Sequence, residues 1–332
     1  MKKIIYLMNI RLFDSNVNTT TSDGMSVEMK TFYSDYLIDN AEPHLVHDQF
    51  AQKHNIPKNG GKTIEFRKYT ALPKLTEPLA EGVTPEGQSL SVTKKEATVK
   101  QYGGWVQLTD MLILTAIDNN LVQATQMIGS QAGRTMDTIT REVINAGTNV
   151  VYAPAGTTAV TSRANVAATS LLTVPLVMKA AAMLKKQNAQ PIDGGFPAII
   201  HPYVAYDLMA SEQWMEAVKY TTSDKIYNGE IGKIGNVRFC ESSEAKIWDN
   251  AGADGVSVFS TLIFGANAYG TTNIEGGGLQ HIVKQLGSGG TADPLNQRAS
   301  VGWKATKTAV ILSDEFMVRI ESSSAFSTAE AN

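Results

Sequence analysis

The stretch between residues 62 and 108 constrains this chain more than any other. KTIEFRKY, residues 62–69, sets Ile64 and Phe66 against Glu65 and Arg67. That is the period-two alternation of a strand. SVTKKEATVKQYGGWVQL, residues 91–108, is a second extended run. The segment between them carries Pro73, Pro78 and Pro85 with Gly82 and Gly87. The pattern predicts a long two-stranded tongue with a turn-rich tip. Two strands alone cannot bury a core. A connection this long in a compact domain is usually functional. The tongue needs packing from outside itself, and a neighbouring subunit would supply it.

Composition supports that need without proving it. The chain has 332 residues, enough for roughly two folded units at about 150 residues each. Its core needs no disulfide or metal to hold it. Charged residues make up 18 %, against about 25 % in a typical soluble protein. Two readings remain open: a surface largely covered by protein contacts, or a neutral enzyme rich in Thr, Ser and Asn. The net charge of -3 disfavours a basic nucleic-acid binder, because phosphate neutralisation needs surplus Lys and Arg. Cys240 is the one cysteine, so the chain can form no intrachain disulfide and no Cys-rich zinc site. The apolar runs Ile4–Met8 and Met111–Ile117 are too short for a secretory core or a membrane span. The expectation is a soluble, non-exported protein.

Around the tongue the chain divides further. Residues 1–22 read as an extended arm. A helix is expected from Ser22 or Asp23, carrying Met25, Met29, Phe32, Tyr36 and Leu37. The strongest helix is expected over residues 118–147. Leu121, Ala124, Ile128, Ala132, Met136, Ile139, Val143 and Ala146 fall at helical steps, with Asp118 as cap and Gly147 as stop. Gly129 and Gly133 on it would let another backbone approach closely. Residues 148–172 read as linker. A mixed α/β unit follows from Thr173. It has a helix capped by Thr173, a buried strand FPAIIHP, a helix opened by Pro202 and carrying Val204 to Val218, and several short strands. GSGGTADPLNQ, residues 287–297, reads as a flexible exit. The strands ASVGWKATKTAVIL and EFMVRIES are expected to return to the first unit. The fold class is α+β, with a middle domain inserted into another.

No catalytic constellation emerges. GGKT, residues 60–63, resembles the end of a phosphate loop. The required glycine is replaced by Ile56, and a strand pattern follows where a helix is needed. No carboxylate–histidine arrangement of known type accompanies His44, His47 and His54, and Pro43 interrupts a helix there, so packed or solvated histidines are the default over a metal site. Cys240 in RFCES reads as a small buried hydrophobe. No HExxH or GxSxG motif is present. The expectation is no enzyme, no cofactor and no metal.

Three stretches in order carry a family resemblance. They are PHLVHDQFAQKHNIPKNGGKTIEFRKYTAL running into LAEGVTPEG, ATVKQYGGWVQLTD before RTMDTITREVINAGTNVVYA, and DPLNQRASVGWKATKTAVILSDEFMVRIES. Together they resemble the major capsid proteins of tailed bacteriophages, in the branch of the N-four-type phages. The resemblance implies the Hong Kong 97-type fold. It assigns an N-terminal arm with first helix to 1–61, an E-loop to 62–108 and a peripheral domain to 109–172. It assigns an axial domain to 173–290 and a return to the peripheral domain with a C-terminal tail to 291–332.

The implied function is a shell of hexamers and pentamers around double-stranded DNA, which is held without sequence-specific binding. The implied partners are a separate scaffolding protein, a portal and a decoration protein, with assembly in the bacterial host cytoplasm. Little or no N-terminal cleavage is expected. Assembly contacts are expected at Glu81, Gly82, Thr84 and Pro85 of the tongue tip and at Trp105 near its base. The competing reading for each tip residue is a solvated turn. An encapsulin-like cellular compartment and a soluble hydrolase or ligand-binding protein are the alternatives.

Overall fold

The structure is a computed structural model. It describes Leu37 and residues 45–78, 81–82, 84–115, 120–219, 230–290 and 293–332. The expected arm and the first helix from Ser22 lie outside the described residues, Leu37 excepted. So do Asp118 and His44.

In chain order, β1 (Gln52–Ile56) leads to β2 (Thr63–Tyr69), β3 (Val92–Thr98) and β4 (Lys100–Thr109). Helices α1 (Asp110–Thr115) and α2 (Asn120–Ile144) follow, then β5 (Val150–Tyr152) and α3 (Val174–Lys186). Next come β6 (Phe196–Ile200), α4 (Pro202–Met209), α5 (Glu212–Lys219), β7 (Glu230–Ile234), β8 (Val237–Glu241) and β9 (Ile247–Trp248). The chain ends through β10 (Val258–Phe264), β11 (Tyr269–Ile274), β12 (Gln280–Lys284), β13 (Arg298–Ile311) and β14 (Met317–Ser322).

The tongue forms as its alternation requires. Strands β2 and β3 pair antiparallel from Thr63↔Thr98 to Tyr69↔Val92. The face carrying Phe66 lies on the chain's own body. The Phe66 ring meets His54 edge-on at 5.5 Å, and a Cβ at Gly270 would stand 3.6 Å from it. On the same face Lys68 Nζ lies 5.4 Å from the Phe316 ring centroid. The opposite face sets like charges directly across the ladder, Glu65↔Glu96 and Arg67↔Lys94. Each is offset along its own strand: Arg67 Nε donates to Glu65 at 2.8 Å and Lys94 Nζ to Glu96 at 2.8 Å. The second extended run divides at Val99. Its first half stays in the ribbon, and its second half, β4, pairs along β13.

Strand β13 is the seam of one sheet. It pairs with β4 along most of its length, with β12 on the other edge, and with β11 at its far end. Val301, Trp303 and Ala305 pack on Ile128 and Ala132 of α2. The buried stripe of α2 is rotated from the apolar periodicity. It includes Thr125, Gly129, Gly133, Asp137, Thr140 and Arg141, whereas Ala146 is exposed. Polar partners explain the rotation. Asp137 binds His47, Thr140 Oγ1 donates to Asp48 at 2.7 Å, and Arg141 Nη1 donates to the Glu244 carbonyl at 2.8 Å. Buried polar groups are tolerated because each finds a partner. The helix runs over 25 residues, about 37 Å at ~1.5 Å per residue.

A second sheet holds β5-β14-β10-β6-β8-β7, with β9 alongside β10, seven strands among the described residues. Its centre, FPAII of β6, is wholly buried. Helix α3 lays Val177, Ala180 and Leu184 over it, in one cluster with Phe196 and Ala198. Gly235 and Asn236 join β7 to β8 with φ of 54° and 73°. Two residues with positive φ make the primed hairpin turn that suits strand twist.

Several expectations are corrected here. Residues 148–172 are not simple linker, since β5 pairs in parallel with β14 through Val150–Tyr152. EFMVRIES pairs on both sides of the expected division between the first unit and the inserted domain, since β14 lies between β5 and β10. The helix opened by Pro202 is two helices. Ser211 breaks it, and its Oγ accepts from the Trp214 amide at 3.3 Å. Thr173 precedes α3 without a side-chain capping bond. In the 287–297 segment, Asp293 accepts from the amides of Gln297 (3.2 Å) and Arg298 (2.8 Å), which builds a turn leading into β13.

Candidate assembly surface

Among the described residues the tongue tip has no cover from its own chain. From Thr70 to Ser91 every described residue is exposed. Leu75 is 78 % and Leu90 70 % exposed, and Leu72 and Tyr69 also face solvent. Soluble monomers rarely expose a contiguous patch of this kind, and large ones mark interaction sites. Prolines at 73, 78 and 85 cannot extend a ladder, so the strands stop and the tip is presented as an extended loop. Gly82 has φ of 77°, a left-handed conformation that favours glycine.

The sequence-predicted residues fall at two places. Glu81, Gly82, Thr84 and Pro85 lie together at the exposed tip. Trp105 lies apart from them, in β4 opposite Gly302, and is 67 % exposed. A third apolar surface continues from β4 through α1, where Met111, Leu112 and Leu114 are exposed. Its sequence signal was the unperiodic run MLILTAI. The tip leucines gave a weaker signal, being scattered among prolines.

Helix α2 presents its other flank to an open groove of about 1370 Å³, lined by Tyr102, Val106, Met127, Ile139 and Val143. Arg134 Nε donates to Glu244 at its edge, 2.9 Å away. Lys246 Nζ donates to Glu142 at 2.9 and 3.0 Å. The hydrogen bonds and charges of Lys246 and Arg141 hold the Glu142 carboxyl below the usual carboxylate range against the opposing effect of burial.

No group of His, Cys, Asp and Glu suited to a metal ion occurs among the described residues. His47 is buried against Asp137, and Cys240 is buried in β8. After GGKT the chain enters β2 rather than a helix. No described helix is long and apolar enough to cross a membrane. The chemistry on offer is that of surface against surface.

An α+β body of two sheets, a long helix packed by one face on a sheet and a projecting tongue with an apolar tip is the architecture of Hong Kong 97-type shell proteins. Residues 92–320 match the family described as phage capsid protein, and the chain belongs to that family. Among solved structures, the capsid of Ralstonia phage GP4 is 14 % identical with a TM-score of 0.64, over 83 % of this chain and 87 % of that one. The capsid of cyanophage Pam1 is 15 % identical with a TM-score of 0.65, over 87 % and 93 %. A virus-like particle from Pyrococcus furiosus is 12 % identical with a TM-score of 0.50, over 88 % and 99 %. The search of curated proteins gives no match. The chain is a major capsid protein that assembles with its own copies into a shell, and its place is the virion capsid. Membership of this family implies a structural role rather than an enzymatic one.

Proposed function

We propose that copies of this chain form the hexamers and pentamers of an icosahedral shell, with the tongue of each copy lying across an adjacent subunit. The observation that carries this reading is the tongue tip, whose leucines stand in water in a single copy. Packing against a neighbour removes those leucines and the free ribbon edges from solvent together. Under this reading residues 62–108 act as the E-loop and 109–172 with α2 as the peripheral domain. Residues 173–290 act as the axial domain and 291–332 as the return. The shell encloses double-stranded DNA without sequence-specific contacts, consistent with a net charge of -3. A separate scaffolding protein and a portal complete the particle, and assembly takes place in the bacterial host cytoplasm.

Deleting residues 76–90 tests the reading. Soluble capsomers or aggregates without shells, seen by negative-stain microscopy, are expected. Normal shells would refute the role of the tongue. The second reading is an encapsulin-like compartment, favoured by the likeness to the Pyrococcus furiosus particle. Nucleic acid inside native particles supports the phage shell, and protein cargo supports the compartment.

A further inference from the structure

A charged group remote from the exposed surfaces lies at the end of α2. Glu321 of β14 is fully buried between two guanidinium groups. Arg163 Nε and Nη2 donate to its two oxygens at 2.8 and 2.7 Å, and Arg319 Nε donates to Oε1 at 2.8 Å. The Trp248 ring of β9 lies against both cations, with Arg163 Cζ 3.6 Å and Arg319 Cζ 5.4 Å from its centroid. Two cations thus share one carboxylate. The surplus charge is answered by α2, because Arg319 Nη1 donates to the Asn145 carbonyl and, at 3.0 Å, to the Gly147 carbonyl. Those carbonyls close the helix, where its dipole favours a cation.

This joint ties α2 to the second sheet by direction as well as by contact. Asn145 Oδ1 accepts from Ser260 Oγ of β10 at 2.6 Å, and the Arg319 amide donates to the Asn149 carbonyl at 3.0 Å. Ile144 packs with Leu262, Phe264 and Met317. The other half of α2 lies on the first sheet through Ile128 and Ala132. The helix therefore spans both sheets, and its angle at Asn145 bears on how one stands to the other. Ile128 lies about 25 Å along α2 from this joint, so a tilt of about 5° there displaces it by about 2 Å.

Stability does not explain the group. A buried ion pair is often no better than apolar residues of similar volume, because desolvation offsets the attraction. What a forked guanidinium supplies and a methyl group does not is direction, since the fork fits one arrangement of its acceptors. We propose that Arg163, Arg319 and Glu321 are positioning residues for assembly, fixing the angle between α2 and the second sheet so that copies of this chain close into shells of one size. A shell closes only where the rotation between neighbouring copies repeats without drift. A subunit whose two sheets rock against each other offers a range of rotations. The inference rests on the shell reading and deepens it, and it does not depend on where the tongue lies.

The test uses the full chain and sizes the particles it forms by electron microscopy, with the parent defining a principal diameter class. Three variants are compared. Arg163→Met with Arg319→Met and Glu321→Leu fills the joint with apolar side chains. Arg319→Lys keeps the charge and loses the fork. Leu184→Ala truncates a fully buried side chain of α3 outside the joint and lowers stability. Circular dichroism melts of the unassembled chains report folding. The triple variant and Arg319→Lys are expected to fold, to form closed particles, and to lower the share in the principal class at least about threefold. Leu184→Ala is expected to keep that share despite its lower melt. Should the triple variant not fold, Arg319→Lys combined with Arg163→Lys carries the test with the same expected loss.

Variants of the joint that fold and keep the parental share would overturn the proposal. So would an equal loss in Leu184→Ala, since size would then follow stability and not the joint. Folded variants that form no particles would assign the joint to assembly competence rather than size selection, against the proposal. Loss of the fold in Arg319→Lys would make the joint a folding element and sink it too. A parent chain that forms no particles would remove the shell reading itself.

Discussion

His47 and Asp137 are both fully buried and joined twice. The His47 amide donates to Asp137 Oδ1 at 2.8 Å, and the imidazole Nδ1 lies 2.6 Å from Oδ2. The Tyr269 hydroxyl donates to the His47 carbonyl at 2.5 Å, and burial, with the Asp48 and Asp137 charges, pushes that phenol well above its usual range. This group fastens the segment before β1 to the middle of α2. Asp48, next in sequence, extends it by binding Lys307 of β13 and Thr140 of α2.

Breaking the pair from one side leaves the other group stranded. Asp137→Ala is expected to destabilise the unassembled protein by about 3–5 kcal/mol, the range for removing one partner of a buried pair. Asp137→Asn keeps an acceptor and is expected to lose less. Urea denaturation of both variants at neutral pH measures the difference.

Trp105 contributes little to the fold of one copy, being 67 % exposed. Trp105→Ala is expected to change unfolding stability by no more than about 0.5 kcal/mol. The same substitution is expected to weaken assembly by about 2 kcal/mol per contact, as for a buried aromatic anchor. Light scattering against concentration reads this as a higher threshold for shell formation. An early melt with an unchanged threshold would reverse the assignment.

His201 makes stability depend on acid. Its Nδ1 accepts from the Tyr203 amide at 3.2 Å, which caps α4 and requires the neutral ring. Burial lowers its pKa from 6.5 to about 4, with the Glu330 charge acting weakly in the opposite direction. The unfolded chain binds this proton more readily than the folded one between those values. The contribution is therefore complete above pH 6.5 and declines as pH falls toward about 4. His201→Asn keeps a capping side chain and removes the titration. Its thermal midpoint should vary less steeply with pH than that of the parent across this window.

The β7–β8 hairpin depends on its two-residue turn. Gly235 has φ of 54°, and a Cβ there would lie 3.3 Å from Met178 Cγ. Gly235→Val is expected to cost about 1–3 kcal/mol, since a branched residue is strained at positive φ. Asn236→Gly should be nearly silent, because glycine accepts the same backbone. Differential scanning calorimetry of the unassembled variants decides between these outcomes.

Local features were readable wherever one residue's neighbours along the chain settle its environment. The Ile64/Phe66 alternation specifies the face the ribbon lays on the body. FPAII announces a buried strand. The face of α2 was not readable in this way. Ile139, Val143 and Ala146 fit the apolar period, yet Asp137, Thr140 and Arg141 go inward because His47, Asp48 and Glu244 meet them there. Each of those partners is distant in sequence, so no local pattern encodes the pairing.

The amino-acid order alone determined that this chain has a projecting tongue, a long helix, a mixed α/β unit and no visible catalytic set. Each of these follows from periodicity, turn chemistry or residue type, which act over a few residues. Tertiary structure alone decided that β5 joins β14 and that Trp105 opposes Gly302. It also decided that Lys284, Arg298 and Lys304 gather on one sheet face. Strand pairing joins residues that are far apart in sequence, and its register emerges only when the whole core closes around it.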